Sequence, residues 1–260
     1  FQLADATARN DRRRDARSGV VCRYAVCCAV VGELLADVAL RYVSITERLF
    51  EGLAMDPHRG VLIDGPTWAT MTGADLRDRI ERLAAGLTAA GFGAGQVVAI
   101  MAPNMPDYAT VFHAVAYAGG TITTINPTYT ASEVRHQLKD SGASLVVTVP
   151  AFLATVQEAV ADMPQVREVI VIGQDAAHKS IDDVMTAVPQ TAQVSVDLDR
   201  YILVLPYSSG TTGLPKGVML SHRNLVVNVD QIIPLLDIRE GEATVAFLPF
   251  LHIYGMNVLM

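Results

Sequence analysis

The chain has 260 residues, of which 51% are hydrophobic and 18% are charged, and its formal net charge at pH 7 is −7. This apolar fraction excludes a disordered segment, and the length allows one large core or two modest ones. The acidic balance argues against a nucleic-acid-binding protein, because such a protein needs a basic face to neutralise phosphates. We therefore expect one or two folded domains and no nucleic-acid partner.

Residues 1–32 differ in composition from the rest of the chain. They contain six arginines and three aspartates, a net charge of +3, and all three cysteines of the chain. Residues 33–260 therefore cannot form a disulfide, which suits a reducing cytoplasm, and we expect a cytoplasmic protein. No histidine or second cysteine pair gives the cysteines a zinc-site spacing, so no metal site is predicted there.

An apolar run at 20–32 follows the arginines, as in a secretory signal peptide. Arg23 interrupts this run, which is far too short to span a bilayer. We predict no transmembrane segment and interpret residues 1–32 as an unassigned basic leader outside the fold. A targeting signal and a structural element are the alternatives.

Helical segments alternate with short apolar runs from about residue 33 onward. The clearest helix covers 73–90, where Thr72 is placed to cap it and apolar residues recur three or four positions apart. Thr130 and Glu133 form a capping-box pattern that opens a helix over 131–140. Further helices are predicted over 106–118, 151–161, 222–233 and near 181–187. Strands are predicted over 97–101, 121–125, 145–149, 169–172 and 201–206, with a strand-like run at 218–220.

The alternation of strands and helices with short links predicts an α/β fold with mainly parallel sheets flanked by helices. Residues 33–260 are taken as this domain. The stripe formed by Val111, Val115 and Ala118 is expected in the core. Residues 173–200 lack a clear period and are interpreted as a surface excursion, and His222 is expected to act in local capping.

A loop rich in glycine and hydroxyl side chains follows the last predicted parallel strand. Between Ser208 and Gly217 it contains two serines, two threonines, three glycines and one lysine. Glycine lets backbone N–H groups approach an anion, hydroxyls donate to phosphate oxygens, and Lys216 adds a positive charge. The loop is not a P-loop, because Pro215 precedes and Gly217 follows the lysine. A flexible surface linker is the alternative interpretation.

Residues 208–222, SSGTTGLPKGVMLSH, resemble the signature of the adenylate-forming (AMP-binding) superfamily, which includes acyl- and aryl-CoA synthetases, luciferases and peptide-synthetase adenylation domains. Three other segments resemble stretches of the same superfamily and occur in the same order along the chain. They are 91–104, where Gln96 replaces the usual Asp, 126–148, and 247–259. The resemblance covers about 37–260. His-Ile-Tyr at 252–254 is most similar to the 4-coumarate–CoA ligase and fatty-acyl-CoA ligase branch. The fold it implies is the N-terminal domain of an adenylate-forming enzyme.

This resemblance implies an ATP-dependent ligase that converts a carboxylic acid to an acyl-adenylate and then, with CoA, to an acyl-CoA. The implied phosphate-binding residues are Ser208, Ser209, Gly210, Thr211, Thr212, Gly213 and Lys216. The implied catalytic residues are Thr211, Lys216 and His252, with His252 beside the substrate carboxylate. His252, Tyr254 and Gly255 are the implied substrate-binding residues. Mg²⁺ and CoA are expected to bind mainly through family segments that lie beyond residue 260.

The family's later motifs do not occur in these 260 residues. They include a magnesium-binding glutamate, a ribose-binding aspartate and a lysine of a small C-terminal domain. We therefore expect a partial, truncated adenylating domain that is inactive alone, described here by its N-terminal half. A peptide-synthetase adenylation domain and an inactive phosphate-binding fragment are the alternatives. Segment 247–259 contains no aspartate to meet a substrate ammonium, which favours a ligase for fatty or aromatic acids.

Overall fold

A computed structural model describes residues 41–208, 215–236 and 241–260. The proposed leader, the predicted boundary at residue 33 and loop residues 209–214 lie outside the described residues. In chain order the elements are α1 (Ile45–Leu53), β1 (Gly60–Ile63), β2 (Thr70–Thr72), α2 (Gly73–Ala89), β3 (Val97–Met101), α3 (Pro106–Tyr117), β4 (Thr121–Thr124), α4 (Ala131–Ser141), β5 (Ala143–Thr148), α5 (Leu153–Val160), β6 (Glu168–Val171), α6 (Ile181–Val184), β7 (Ile202–Ser208), β8 (Lys216–Gly217), β9 (Leu220–Ser221) and α7 (His222–Ile232). Short 3₁₀ turns cover Pro150–Phe152 and Ile233–Leu235, and a π-helical turn covers Gly255–Leu259.

The main sheet has a parallel centre with the strand order β6-β5-β3-β4-β7, and β8 and β9 pair with β7 in antiparallel orientation. Val98 on β3 lies opposite Ile122 on β4 and Leu145 on β5. Helices α3, α4 and α5 supply the crossovers that parallel strands require. Strands β1 and β2 form a separate antiparallel hairpin. The predicted α/β fold with a mainly parallel sheet is confirmed.

Helices cover both faces of this sheet. Along β3, Val98 and Ile100 join the core beneath α1, α2, α3 and α7, whereas Ala99 and Met101 join the core beneath α4 and α5. Successive strand side chains point to opposite faces, so a strand covered on both sides needs an uninterrupted apolar run. The stripe of Val111, Val115 and Ala118 is fully buried, as predicted.

The predicted helix starts are confirmed where the sequence carries capping residues. The Thr72 hydroxyl accepts the backbone N–H of Asp75, and the Asp75 carboxylate accepts the N–H of Thr72 in return. Thr130 and Glu133 make the same reciprocal pair at α4, which ends at Gly142 with φ 70°. Glycine adopts this left-handed conformation without a steric penalty, which explains the sharp helix end.

Some short elements differ from the sequence-based prediction. The helix expected near 181–187 ends at Val184, because Met185 has an extended backbone. Only Leu220 of the strand-like run at 218–220 lies in a strand, because β8 ends at Gly217 and β9 begins at Leu220. The patterns described above do not predict α1 or the β1–β2 hairpin. Among the described residues, no helix has the length and apolar character needed to cross a bilayer.

Candidate active site

The two described ends of the glycine-rich loop are held side by side. Ser208, the last residue of β7, lies opposite Lys216 of β8, and Tyr207 lies opposite Gly217. The side chains of Ser208 and Lys216 are both exposed. The predicted phosphate-binding residues between them, Ser209, Gly210, Thr211, Thr212 and Gly213, fall outside the described residues. The loop therefore starts and returns at the carboxyl end of β7.

A buried tyrosine anchors the base of this loop. The Tyr207 hydroxyl donates a hydrogen bond of 2.6 Å to the Asp140 carboxylate near the end of α4. Burial, together with this hydrogen bond and the nearby negative charge, raises the pKa of the Tyr207 phenol, so it remains a donor at neutral pH. The Val218 N–H donates to the Pro206 carbonyl at 2.9 Å. These contacts fix where the loop leaves and re-enters the sheet.

Asn104, just beyond the carboxyl end of β3, holds the irregular segment that precedes His252. Its amide nitrogen donates to the carbonyls of Ala246 at 2.7 Å and Leu248 at 2.8 Å. Its amide oxygen accepts the N–H of Phe250 at 2.8 Å. One side chain thus satisfies three backbone groups of a segment that has no strand or helix partner of its own.

Thr124, the last residue of β4, makes the next contact along this segment. Its hydroxyl donates to the Leu251 carbonyl at 2.9 Å. Thr124 also lies opposite Pro206 on β7, two residues before Ser208. His252, which is exposed, and the glycine-rich loop therefore follow the ends of neighbouring strands at one edge of the sheet. Ligands of open α/β sheets bind at this carboxyl-terminal edge.

Tyr254 borders a cleft of about 370 Å³ between α7 and the π-helical turn. The cleft combines apolar side chains with three asparagine amides, and its lining comprises Leu220, Asn224, Leu225, Asn228, Ile232, Ile253, Tyr254, Asn257 and Val258. The Asn257 amide donates to the Asn228 side-chain oxygen at 2.7 Å. The lining contains no charged side chain, so the cleft suits an uncharged group.

Gly255 is buried behind the turn that exposes His252 and Tyr254. A Cβ atom at this position would lie 2.2 Å from the carbonyl oxygen of Pro249 and 2.9 Å from that of Leu248. Such a close approach of backbone to backbone leaves room only for glycine. Gly255 is therefore required for the close packing of this turn, independently of any contact with a ligand.

Lys216 carries the positive charge at the mouth of the loop. Within the part of the chain that the structure describes, no carboxylate forms an ion pair with its exposed ammonium group. A lysine ammonium group with no carboxylate partner among those residues, on a strand position opposite Ser208, favours an anionic ligand. The same described ranges contain no cluster of three or more His, Cys, Asp or Glu side chains arranged to hold a metal ion.

Two buried histidines lie away from this edge. His222 accepts the Ile45 N–H at Nδ1, whereas the cap of α7 is Ser221, whose hydroxyl accepts the N–H of Asn224. The local role of His222 is therefore burial against α1 rather than capping. His113 contacts the Thr46 hydroxyl at 3.1 Å. Burial lowers the pKa of His113 to about 3 and that of His222 to about 4, so both are neutral at pH 7.

Residue patterns in the sequence do not identify Asn104, Thr124, Tyr207 or Asp140 as site residues. Asn104 is the last residue of the segment 91–104, and the resemblance of this segment to the adenylate-forming superfamily is the one sequence signal that points to Asn104. The contacts of the other three depend on which strands are neighbours in the sheet, which cannot be read from residue spacing.

Known proteins with a similar sequence show which family this chain belongs to. The family model of the AMP-binding enzyme matches residues 49–260. The chain therefore belongs to the AMP-binding enzyme family, and the resemblance inferred from the sequence is confirmed. The matched region is the N-terminal part of the family.

The similar curated proteins include plant ligases. The chain is 37% identical over 233 residues to 4-coumarate–CoA ligase 5 of Oryza sativa subsp. japonica, a match that covers 87% of this chain and 42% of the relative. It is 37% identical over 219 residues to 4-coumarate–CoA ligase of Pinus taeda, covering 81% of this chain and 40% of the relative. The chain thus spans well under half of these relatives.

Solved structures share the fold. A long-chain-fatty-acid–CoA ligase from Archaeoglobus fulgidus superposes with a TM-score of 0.77 at 24% identity, covering 85% of this chain and 45% of that one. The N-terminal domain of FACL13 from Mycobacterium tuberculosis superposes with a TM-score of 0.73 at 25% identity, covering 83% of this chain and 54% of that one. The architecture is that of the N-terminal region of CoA ligases.

Proposed function

We propose that this chain is the N-terminal part of a carboxylic acid–CoA ligase that forms an acyl-adenylate from ATP and then an acyl-CoA. The observation that carries the proposal is the meeting of two segments at one sheet edge. The glycine-rich loop follows β7, and the His252 segment is tied to the end of the neighbouring strand β4. A phosphate site and a carboxylate site placed side by side are what adenylation requires.

The loop would bind the phosphates of ATP and then pyrophosphate. Ser208 and Lys216 stand at its two ends, and the exposed ammonium of Lys216, which has no ion-pair partner among the residues that the structure describes, supports this role. The remaining proposed contacts are Ser209, Gly210, Thr211, Thr212 and Gly213. Attack on the α-phosphate develops negative charge on the phosphoryl oxygens, which fixed hydroxyl, N–H and ammonium donors stabilise. Thr211 and Lys216 are the proposed catalytic donors of this loop.

His252 would orient the substrate carboxylate toward the α-phosphate and lie on the path that CoA takes later. It is exposed at the sheet edge, and its backbone is fixed through Leu251 and Pro249. Holding the two reactants in position removes much of the entropic barrier to their reaction. The carboxylate oxygen forms the new bond to phosphorus, pyrophosphate leaves, and the CoA thiol then displaces AMP.

The family implies Mg²⁺ with ATP. When bound, Mg²⁺ neutralises phosphate charge, but the residues that the structure describes provide no ligand cluster for it. We therefore assign Mg²⁺ no ligand among the described residues. The cytoplasmic location inferred from cysteine usage stays a prediction.

The substrate class we propose is an apolar or aromatic carboxylic acid. The uncharged cleft beside Tyr254 supports it, and Asn224, Asn228 and Asn257 would serve a polar substituent. A peptide-synthetase adenylation domain would need an acidic side chain for the amino group of its substrate. The cleft lining contains none, and this observation favours the ligase.

Carboxylate-dependent ATP–pyrophosphate exchange tests the proposal. We expect the 260 residues alone to be inactive, so the assay uses this chain joined to the later segments of the family. Exchange with fatty or cinnamate-type acids is expected, and the Lys216→Ala variant serves as the negative control. A preference for amino acids over hydrophobic acids would refute the ligase in favour of a peptide-synthetase domain.

A further inference from the structure

Asn104 and Thr124 take no part in the proposed chemistry. Among the residues that the structure describes, they make all the side-chain hydrogen bonds to the backbone of 246–251. We infer that both are positioning residues, which hold the turn carrying His252 at a fixed place relative to the phosphate loop. The inference rests on the proposed function for its chemical meaning. The contacts themselves can be tested without it.

The segment before His252 is irregular and only partly packed against the core. It has no regular secondary structure from Glu242 to Pro249. Val245 and Phe247 are 77% and 75% exposed, so their side chains do not anchor it. Phe250 is buried and meets Tyr108 edge-on at 5.6 Å, which provides one apolar anchor. Ala246 is partly buried against the same core, and the hydrogen bonds from Asn104 and Thr124 fix the direction of the backbone beside these two apolar contacts.

The two positioning residues lie at the carboxyl ends of central strands of the main sheet. Asn104 follows β3 and Thr124 ends β4, and both strands are central in the parallel sheet. The sheet also carries the phosphate loop on β7, next to β4. The separation between Leu251 and Ser208, the residue at which the loop leaves β7, is thus set by the pairing of β4 with β7. A displacement of about 1 Å in such a site can cost roughly a hundredfold in rate.

The sheet offers a matched control for Thr124. Thr148 is the last residue of β5, as Thr124 is of β4, and both side chains are buried. The Thr148 hydroxyl donates to the Met101 carbonyl at 2.9 Å, the same distance as the bond from Thr124 to Leu251. Thr124→Val and Thr148→Val therefore remove the same kind of bond at equivalent positions, but only the first releases the His252 segment.

The first measurement is amide hydrogen exchange on the 260-residue chain. Asn104→Ala is expected to speed exchange at Phe250 and His252 by about tenfold, as the loss of a hydrogen bond predicts. Thr124→Val is expected to speed amide exchange at His252. Thr148→Val is expected to leave exchange at both amides at the wild-type rate. If Asn104→Ala does not fold, the comparison of Thr124→Val with Thr148→Val tests the inference without it. Wild-type exchange at both amides in the Thr124→Val protein would overturn the inference.

The second measurement separates positioning from a general structural effect. Binding of trans-cinnamate is followed by the NMR shifts of the His252 ring, and binding of pyrophosphate by calorimetry. Asn104→Ala is expected to weaken cinnamate about tenfold and leave pyrophosphate within twofold. An equal loss for both ligands would overturn the positioning role. A wild-type chain whose His252 does not respond to cinnamate would instead refute the carboxylate role in the proposed function, while amide exchange still decides the contacts.

Discussion

Side chains at the carboxyl end of the sheet differ in how firmly neighbouring residues hold them in place. Lys216 is exposed at the end of the glycine-rich loop, whereas Tyr207, opposite the neighbouring Gly217, is held by Asp140. Within the described ranges no carboxylate is paired with Lys216, so its charge is available to an anion without the loss of an ion pair there.

Lys216→Ala is expected to weaken binding of ATP or pyrophosphate by roughly tenfold to a hundredfold, because a charge-assisted hydrogen bond contributes about 1.5–3 kcal/mol. Binding of a fatty acid should change little. Calorimetry with pyrophosphate and a fatty acid measures both. Lys179→Ala is the control, since it removes the same charge from a lysine paired with Glu168. An equal loss of both ligands in Lys216→Ala would contradict the assignment.

The buried histidines predict a loss of stability at mildly acidic pH. Their folded-state pKa values, about 3 for His113 and about 4 for His222, lie below the ordinary 6.5. Between these values the unfolded chain binds more protons, so stability is full above pH 6.5 and declines as the pH falls. From pH 7.5 to 5.5 the free energy of unfolding should drop by about 1 kcal/mol for each histidine.

Urea unfolding of the chain at the two pH values measures this decline. His222→Gln keeps a hydrogen-bond acceptor near Ile45 and should remove about half of the pH dependence. His58→Gln, a change at an exposed histidine, should leave it intact. A wild-type midpoint that does not fall between pH 7.5 and 5.5 would show that neither buried histidine titrates in this way.

At the scale of elements, the turn that presents His252 depends on close packing of backbone against backbone. Gly255→Ala places a methyl group against the Pro249 carbonyl, where the ideal distance is only 2.2 Å. The turn must shift, at a cost of about 1–3 kcal/mol. For a chain of this length the melting temperature should fall by roughly 2–10 °C.

Thermal unfolding checks this prediction, with Gly52→Ala as the control. A Cβ atom at Gly52 in α1 meets nothing within 4 Å, so alanine there should be neutral or stabilising. The Gly255→Ala variant should also lose protection from amide exchange at Met256, whose N–H donates to the His252 carbonyl. A melting temperature equal to that of Gly52→Ala would contradict the packing described here.

Elements with a strong local pattern were predictable from the sequence, and elements defined by distant contacts were not. The capping pairs at Thr72 and Thr130 set the starts of α2 and α4 correctly, since each cap is a contact over three residues. Helix α1 carries the same kind of capping pair, Ser44 and Glu47, but it has only nine residues and is stabilised by burial of Ile45 and Phe50, so its cap alone did not identify it. In the candidate site, Lys216 and His252 follow from the motif, whereas Asn104 is recognised only through partners more than 140 residues away.

For the whole molecule, the contrast in composition between residues 1–32 and the remainder gives a further prediction. Removal of residues 1–32 should leave folding unharmed, because they carry a net positive charge and all the cysteines and do not fit the family pattern. Comparing the melting temperatures of the two chains tests this. A fall beyond about 5 °C, equivalent to roughly 1–2 kcal/mol, would show that this segment packs against the domain.

The hydrogen bond between Asn104 and Phe250 joins residues 146 positions apart. Closing so long a loop has an entropic cost that is recovered only after the intervening strands have paired. The turn that carries His252 should therefore order late in folding, after β3, β4 and β7 have come together. A nascent chain would form its sheet before the His252 turn is ordered, and a chain whose strands pair wrongly would lack the edge at which adenylation is proposed to occur.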